Sequence, residues 1–206
     1  MPLLLLIRHG ENDYLKNHKA AGRLPGIHLN ERGRQQAEAL AQALASVPLA
    51  AIYSSPLERA IETAEPIARL HRLEVQIEAG LIESDVGAWQ GRSWKALSRL
   101  KAWNLVQQAP SRFRFPGGES FIEMQVRVVT ALEQIVGRHK AKDVVACVFH
   151  ADPIKLAVAH YLGLPLDHFQ RLGCDPGSAT VIDVGSPRCA LVKLNLLPPF
   201  ELRMAD

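Results

Sequence analysis

The 206-residue sequence is poor in the features that mark several large classes of protein. Its three cysteines, Cys147, Cys174 and Cys189, are odd in number and show neither CxxC spacing nor pairing with histidine. A disulfide framework and a zinc knuckle are therefore not expected, and reduced thiols of a cytoplasmic protein are. Long apolar runs are also missing. The opening run Leu3 to Ile7 is too short for a signal-peptide core and has no basic stretch before it, and no other segment approaches the ~20 residues of a membrane span. Charge of one sign is missing too: the net charge is +3, and the aromatic residues, 6% of the chain, do not cluster with the basic ones. That leaves no basis for a nucleic-acid surface, whereas a small anionic substrate fits. No internal repeat or low-complexity stretch is evident.

What is present, 48% hydrophobic and 22% charged residues, is the composition of one ordinary globular domain spanning residues 1–206. Its organising stretch is Leu3-Leu4-Leu5-Leu6-Ile7 followed at once by Arg8-His9-Gly10-Glu11. An apolar run without period fits a strand buried on both faces. A charged pair at such a strand's carboxyl end, followed by a glycine that lets the backbone turn, is where open α/β sheets bind ligands.

Two further strand-like runs end in the same way. Leu49 to Tyr53 leads into Ser54-Ser55-Pro56-Leu57-Glu58-Arg59, where Ser55 and Glu58 have capping-box spacing and Pro56 suits a first helical position. Arg59 then falls in the first helical turn, where free N–H groups and the helix dipole favour a phosphate. Asp143 to Phe149 ends at His150, with Asp152 able to cap and Pro153 to open the next helix. Leu73 to Ile77 is a further strand. Ala179–Val184 and Ala190–Leu196 form an antiparallel pair across Gly185-Ser186-Pro187-Arg188. Asn12 to Ile27 reads as loop. Asn30 caps a helix whose buried face is Ala37, Leu40, Ala41 and Leu44, and Ser93 to Gln108 reads as one helix whose tryptophans belong to the core. Ser120 and Glu123 form a capping box opening a long helix with Ile122, Val126, Val129, Leu132 and Val136 on its apolar face, and a short polar helix covers Asp167 to Leu172. Leu81 to Gly91 is a shaped loop in which Glu83 and Asp85 are equivalent acid candidates.

The crossover rule puts the strand ends on one edge of the sheet, so Arg8, His9, Arg59 and His150 converge. Two guanidiniums can grip a phosphoryl group, and a histidine can donate to a third oxygen. A Walker lysine and a dense carboxylate cluster for Mg²⁺ are both lacking, so no metal or other cofactor is expected.

Arg8 to Asn12 resembles the signature of the histidine phosphatase superfamily, which includes the phosphoglycerate mutases. Ser54 to Ala64 resembles its second motif. Leu81 to Gly91 resembles the loop that carries the catalytic acid, with Glu83 at the matching position, and His150 with its strand completes the set, followed by Ala151 where glycine is common. The resemblance implies an α/β fold: a doubly wound, mostly parallel sheet with helices on both faces and one antiparallel strand, three-layered and phosphoglycerate mutase-like. Residues 84–120 become a lid-like insertion. His9 becomes the nucleophile of a metal-independent phosphatase acting on a small phosphomonoester. Glu83 becomes the acid and base, Arg8, Arg59 and His150 the phosphoryl grip, and Asn12 and the Ala151 N–H further contacts to substrate. The partner implied is a small phosphorylated molecule, with no nucleic acid or membrane; a homodimer is left open. Leu15 stands where many members have asparagine, which disfavours a mutase-type phosphotransferase. A protein phosphohistidine phosphatase would need a more open site, and a phospho-ligand-binding pseudoenzyme would not need all five chemical positions filled.

Overall fold

The computed structural model describes residues 2–185 and 189–202, so Ser186, Pro187 and Arg188 of the expected connection between the last two strands lie outside the described residues. Strands β1 (Leu3–Arg8), β2 (Leu49–Ser54), β3 (Val75–Ile77), β4 (Val144–Phe149), β5 (Ala179–Asp183) and β6 (Ala190–Leu196) form one sheet in the order β3-β2-β4-β1-β5-β6. β1, β2, β3 and β4 pair in parallel, and β5 is antiparallel to both of its neighbours, β1 and β6. The helices are α1 (Asp13–Lys16), α2 (Glu31–Ala43), α3 (Glu58–His71), α4 (Trp94–Leu97), α5 (Lys101–Gln108), α6 (Phe121–Gly137) and α7 (Ala151–Tyr161).

The unpatterned apolar sequence of β1 follows from its central place. Leu4 and Leu6 pack towards α6 and α7, Leu5 and Ile7 towards α2 and α3, and none of the four is exposed. Both faces of the strand are thus covered, giving three layers. A third cluster, with Trp89, Leu97, Val106, Phe113, Phe115, Phe121 and Phe169, lies outside the sheet layers and roots the segment between β3 and α6.

The caps of α2 and α6 are as expected: Asn30 Oδ1 accepts from Gly33 N, and Ser120 and Glu123 form the reciprocal box. Several expectations need correcting. α3 begins at Glu58 with Leu57 in the capping position and no side-chain cap, because Ser55 and Glu58 are both engaged elsewhere: the Ser55 hydroxyl with His150, the Glu58 carboxylate with the N–H of Gly26. α7 begins two residues before Pro153, with His150 itself in the capping position. β3 is shorter than expected, because Arg72 adopts a left-handed φ of 57° and the Leu73 N–H bonds back to Ala68 O, closing α3.

Ser93 to Gln108 is two helices, broken by extended backbone at Leu100. A straight helix would separate residues 94 and 103 by ~13.5 Å along its axis; the break brings the indoles of Trp94 and Trp103 to 6.0 Å between centroids. α6 buries Phe121, Met124, Val128, Ala131 and Ile135 with Leu132 and Val136, while Ile122 and Val126 face solvent. That helix is apolar on more than one stripe, so periodicity alone could not choose the buried one.

Candidate active site

Arg8 closes β1, His9 follows it, Arg59 is the second residue of α3, and His150 joins β4 to α7. Because β1 and β4 are neighbours, the His9 N–H bonds to Phe149 O at 3.0 Å, and the two imidazoles meet edge-on with centroids 5.1 Å apart. Glu83 comes from the loop after a 3₁₀ turn at Ala79–Leu81. Gly10 is required for a reason other than the one read from sequence. Its φ is not left-handed; instead, a Cβ there would lie 2.5 Å from the Gly33 carbonyl oxygen, and a Cβ on Gly33 would lie 2.0 Å from that of Glu11. The pair lets the loop after β1 rest on the first turn of α2.

His9 Nδ1 is 2.7 Å from the Gly10 carbonyl oxygen and must carry the proton. Nε2 therefore holds the lone pair, and Arg59 Nε donates to it at 3.3 Å. Thr63 braces the arrangement, accepting from the Gly10 N–H and donating to Arg59 O. Arg59 is fully buried, with Nη2 bonded to Gly22 O at 2.8 Å, and Arg8 Nη1 donates to Cys174 O at 2.6 Å. Asn12 uses its Oδ1 to cap α1. His150 Nε2 meets Ser55 Oγ at 2.8 Å, and its Nδ1 lies 3.6 Å from Glu83 Oε2. The other carboxylate oxygen, Oε1, accepts from Ser84 N and Oγ at 2.8 and 3.0 Å.

Buried polar atoms are normally paired. Among the described residues six buried side-chain polar atoms are not, and four of these six sit here: Arg8 Nε, Asn12 Nδ2, Arg59 Nη1 and His150 Nδ1. A cavity of about 340 Å³ opens above them, lined by Arg8, His9, Asn12, Arg59, Glu83 and Ala151. His150 is fully buried and is not among the lining residues; it lies against His9. Asp85 does not reach the cavity either. Its carboxylate turns to Arg23, at 3.7 Å, and to the N–H of Gly87, which separates it from Glu83.

Burial, reinforced by the charges of Arg59 and Arg8, holds the His9 ring well below its usual pKa, with a small opposing contribution from the Gly10 carbonyl. Burial, then Arg59, His9 and Arg8, does the same to His150. Both rings are neutral at pH 7. Burial pushes the Glu83 carboxyl upward, opposed by Arg59 and helped by Asp152. Donor atoms of His9, Glu83 and His150 lie within 4.8 Å of one another, a spacing that elsewhere could hold a metal ion. Here the two guanidiniums that depress both imidazoles would repel a dication, and the same charges attract an anion.

Sequence reasoning missed Ser55, read as a cap; Thr63, whose role needs the β1 loop folded against α3; and Asp152 with Lys155, a pair 3.0 Å apart on the cavity wall. It also assigned the tryptophans to the core. Trp89 is buried, and it lines the cavity together with Trp94, Trp103, Leu15, Val106 and Phe115, giving it an apolar wall opposite a cationic floor.

Residues 4–197 match the family model described as histidine phosphatase superfamily (branch 1). The chain is 36% identical over 201 residues to phosphoserine phosphatase 1 of Hydrogenobacter thermophilus, covering 95% of this chain and 93% of that protein. It is 30% identical over 185 residues to a 2,3-bisphosphoglycerate-dependent phosphoglycerate mutase of Thermoplasma acidophilum, covering 89% and 88%. Among solved structures, a mycobacterial glucosyl-3-phosphoglycerate phosphatase in complex with VO3 superposes with a TM-score of 0.87 at 28% identity, covering 95% of this chain and 99% of that one.

Proposed function

Because the chain belongs to the histidine phosphatase superfamily and is a phosphoric monoester hydrolase, we propose that it hydrolyses a small phosphomonoester without a metal ion, through a phosphohistidine on His9. The observation that carries this is the protonation pattern of His9: Nδ1–H is tied to Gly10 O, leaving the lone pair on Nε2, which meets only the long 3.3 Å contact from Arg59 Nε, beside unpartnered nitrogens that can hold phosphoryl oxygens.

Arg8, Arg59, Asn12 Nδ2 and the Ala151 N–H at the start of α7 bind the phosphoryl oxygens and spread their charge. His150 Nδ1–H, with Nε2 accepting from Ser55, donates to the same group. His9 Nε2 attacks phosphorus; the P–O ester bond breaks, and the leaving oxygen takes the proton from Glu83. The Glu83 carboxylate then removes a proton from water, which attacks the phosphohistidine, releasing phosphate and restoring both His9 and protonated Glu83. The raised pKa of Glu83 suits a group that must begin as an acid.

The leaving alcohol occupies the apolar part of the cavity. Leu15 is there and offers no hydrogen bond, which favours hydrolysis over a mutase that must hold a second phosphate. Residues 84–120 supply Trp94, Trp103, Val106 and Phe115 to the wall and act as a lid; this covered site is at odds with a whole phosphoprotein as substrate. No helix of the described residues is long and apolar enough to cross a membrane, and the three unpaired cysteines support a cytoplasmic placement. Every site residue comes from one chain, so a monomer or a homodimer would carry complete sites. The test is p-nitrophenyl phosphate hydrolysis in excess EDTA. Turnover should persist and be inhibited by orthovanadate; turnover restored only by added Mg²⁺ or Zn²⁺ would refute the metal-free route.

A further inference from the structure

Glu83 is a loop residue, yet an acid that must deliver a proton to one oxygen needs a fixed position. The hydrogen bonds of its own side chain are those from Ser84 to Oε1, and Oε2 lies 3.6 Å from His150 Nδ1. The rest of the restraint comes from three charged residues that the catalytic cycle above does not use. Glu119 stands at the centre. Its Oε1 accepts from Arg127 Nη2 at 2.7 Å, Arg23 Nη2 at 3.1 Å and the Asp85 N–H at 3.0 Å, and its Oε2 accepts from Arg127 Nε at 3.3 Å. The two arginines then reach past Glu119 to the backbone around the acid. Arg127 Nη1 donates to Gly80 O and Ile82 O, both at 2.8 Å, and Arg23 Nε donates to Glu83 O at 2.8 Å.

The backbones of the two segments are joined as well. Glu119 N–H bonds to Asp85 O at 3.0 Å, and Ala88 N–H to Pro116 O at 2.9 Å. The approach is so close that a Cβ on Gly118 would lie 2.1 Å from Asp85 O and one on Gly87 2.2 Å from Pro116 O. Residues 85–88 and 116–119 are thus zipped together, and these are the two ends of the insertion that walls the cavity.

We infer that Glu119, Arg23 and Arg127 form a clamp that positions the Glu83 carboxyl, so that Glu119 is a positioning residue for the acid–base steps. The inference rests on the reading of Glu83 as the acid. The geometry has a specific consequence: none of the clamp's three side chains hydrogen-bonds Arg8, Arg59, His9 or Asn12, and the one backbone link to the grip is Gly22 O, next to Arg23, which accepts from Arg59 Nη2, so the clamp bears first on the acid. Loosening it should therefore resemble partial loss of Glu83 rather than general loss of activity.

The experiment compares kcat/KM for an alkyl phosphate and for p-nitrophenyl phosphate in the wild type, Glu119→Ala, Glu83→Gln and the double variant. A misplacement of about 1 Å can cost roughly 10²-fold in a step that depends on orientation. Glu119→Ala should accordingly lower alkyl phosphate turnover by ~10²-fold, and phosphoenzyme formation from p-nitrophenyl phosphate much less, because nitrophenolate leaves without an acid. In the Glu83→Gln background the same substitution should change neither rate further. Equal losses on both substrates, or an additional loss in the double variant, would overturn the clamp. If Glu83→Gln itself shows no alkyl-selective loss, the acid assignment fails first, and the clamp with it. Should Glu119→Ala not fold, Arg23→Lys keeps the charge but loses the guanidinium's simultaneous reach to Glu83 O and Glu119. It must show the same selectivity, and wild-type ratios there would contradict the proposal.

Discussion

At the scale of single residues, burial and the charges of Arg59 and Arg8 hold two imidazoles well below their usual pKa, and burial pushes that of one carboxyl upward. The signs of the pH dependence follow. In the proposed cycle His9 attacks as the free base, and its pKa lies below the usual 6.5, so the rate of phosphoenzyme formation should hold through pH 6.5 and fall only as the pH drops through the lowered value. In the same proposed cycle Glu83 acts first as an acid, and its pKa lies above the usual 4.5. Alkyl phosphate turnover should therefore decline as the pH rises through that raised value, while an aryl phosphate shows no such limb. Stability carries the histidine sign too. The unfolded chain takes up protons at His9 and His150 below about pH 6.5, where the folded rings remain neutral, so unfolding free energy should decrease as the pH falls from there. Rate profiles and denaturant melts at several pH values measure both effects; an acid limb centred above 6.5 for phosphoenzyme formation would contradict the depressed His9.

At the scale of elements, what positions the site is the way strand ends feed into helix starts. The contact between the loop after β1 and α2 is the most sensitive joint, because Gly10 and Gly33 leave no room for a Cβ. Gly33→Ala should shift that loop, costing ~1–3 kcal/mol as other overpacking substitutions do and lowering turnover by displacing His9. A variant with wild-type denaturation midpoint and rate would show that the joint is loose. These junctions were legible in the sequence because each is a local pattern: an apolar run, then a charge, then a cap or glycine. Arg8, His9, Arg59 and His150 accordingly stand where strand ends and helix starts meet. Glu83 and Asp85 were not separable, since what distinguishes them is the turn of Asp85 towards Arg23, a residue 62 positions away. Ser55 was misread because a hydroxyl before a helix has the same local pattern whether it caps the helix or meets a histidine from another strand. Trp94 and Trp103 were misread because the break at Leu100 carries neither glycine nor proline, so nothing local marks it.

At the scale of the whole molecule, a sheet whose central strands β1 and β4 are buried on both faces supplies the edge, and the segment 84–120, zipped at its two ends beside Glu83, walls the cavity built on that edge. The fold was readable from strand–helix alternation, including the one antiparallel strand β5, whereas the register of the insertion against the edge arises from the long-range clamp and could not be. In the proposed cycle His9 Nε2 is the atom that receives the phosphoryl group. The most direct measurement is rapid quenching of the protein with a phosphate-labelled phosphomonoester, followed by acid and alkali treatment and location of the label. The expected result is an acid-labile, alkali-stable label on His9 that is absent from a folded His9→Ala variant. A label on serine or cysteine, or one that persists in His9→Ala, would contradict it.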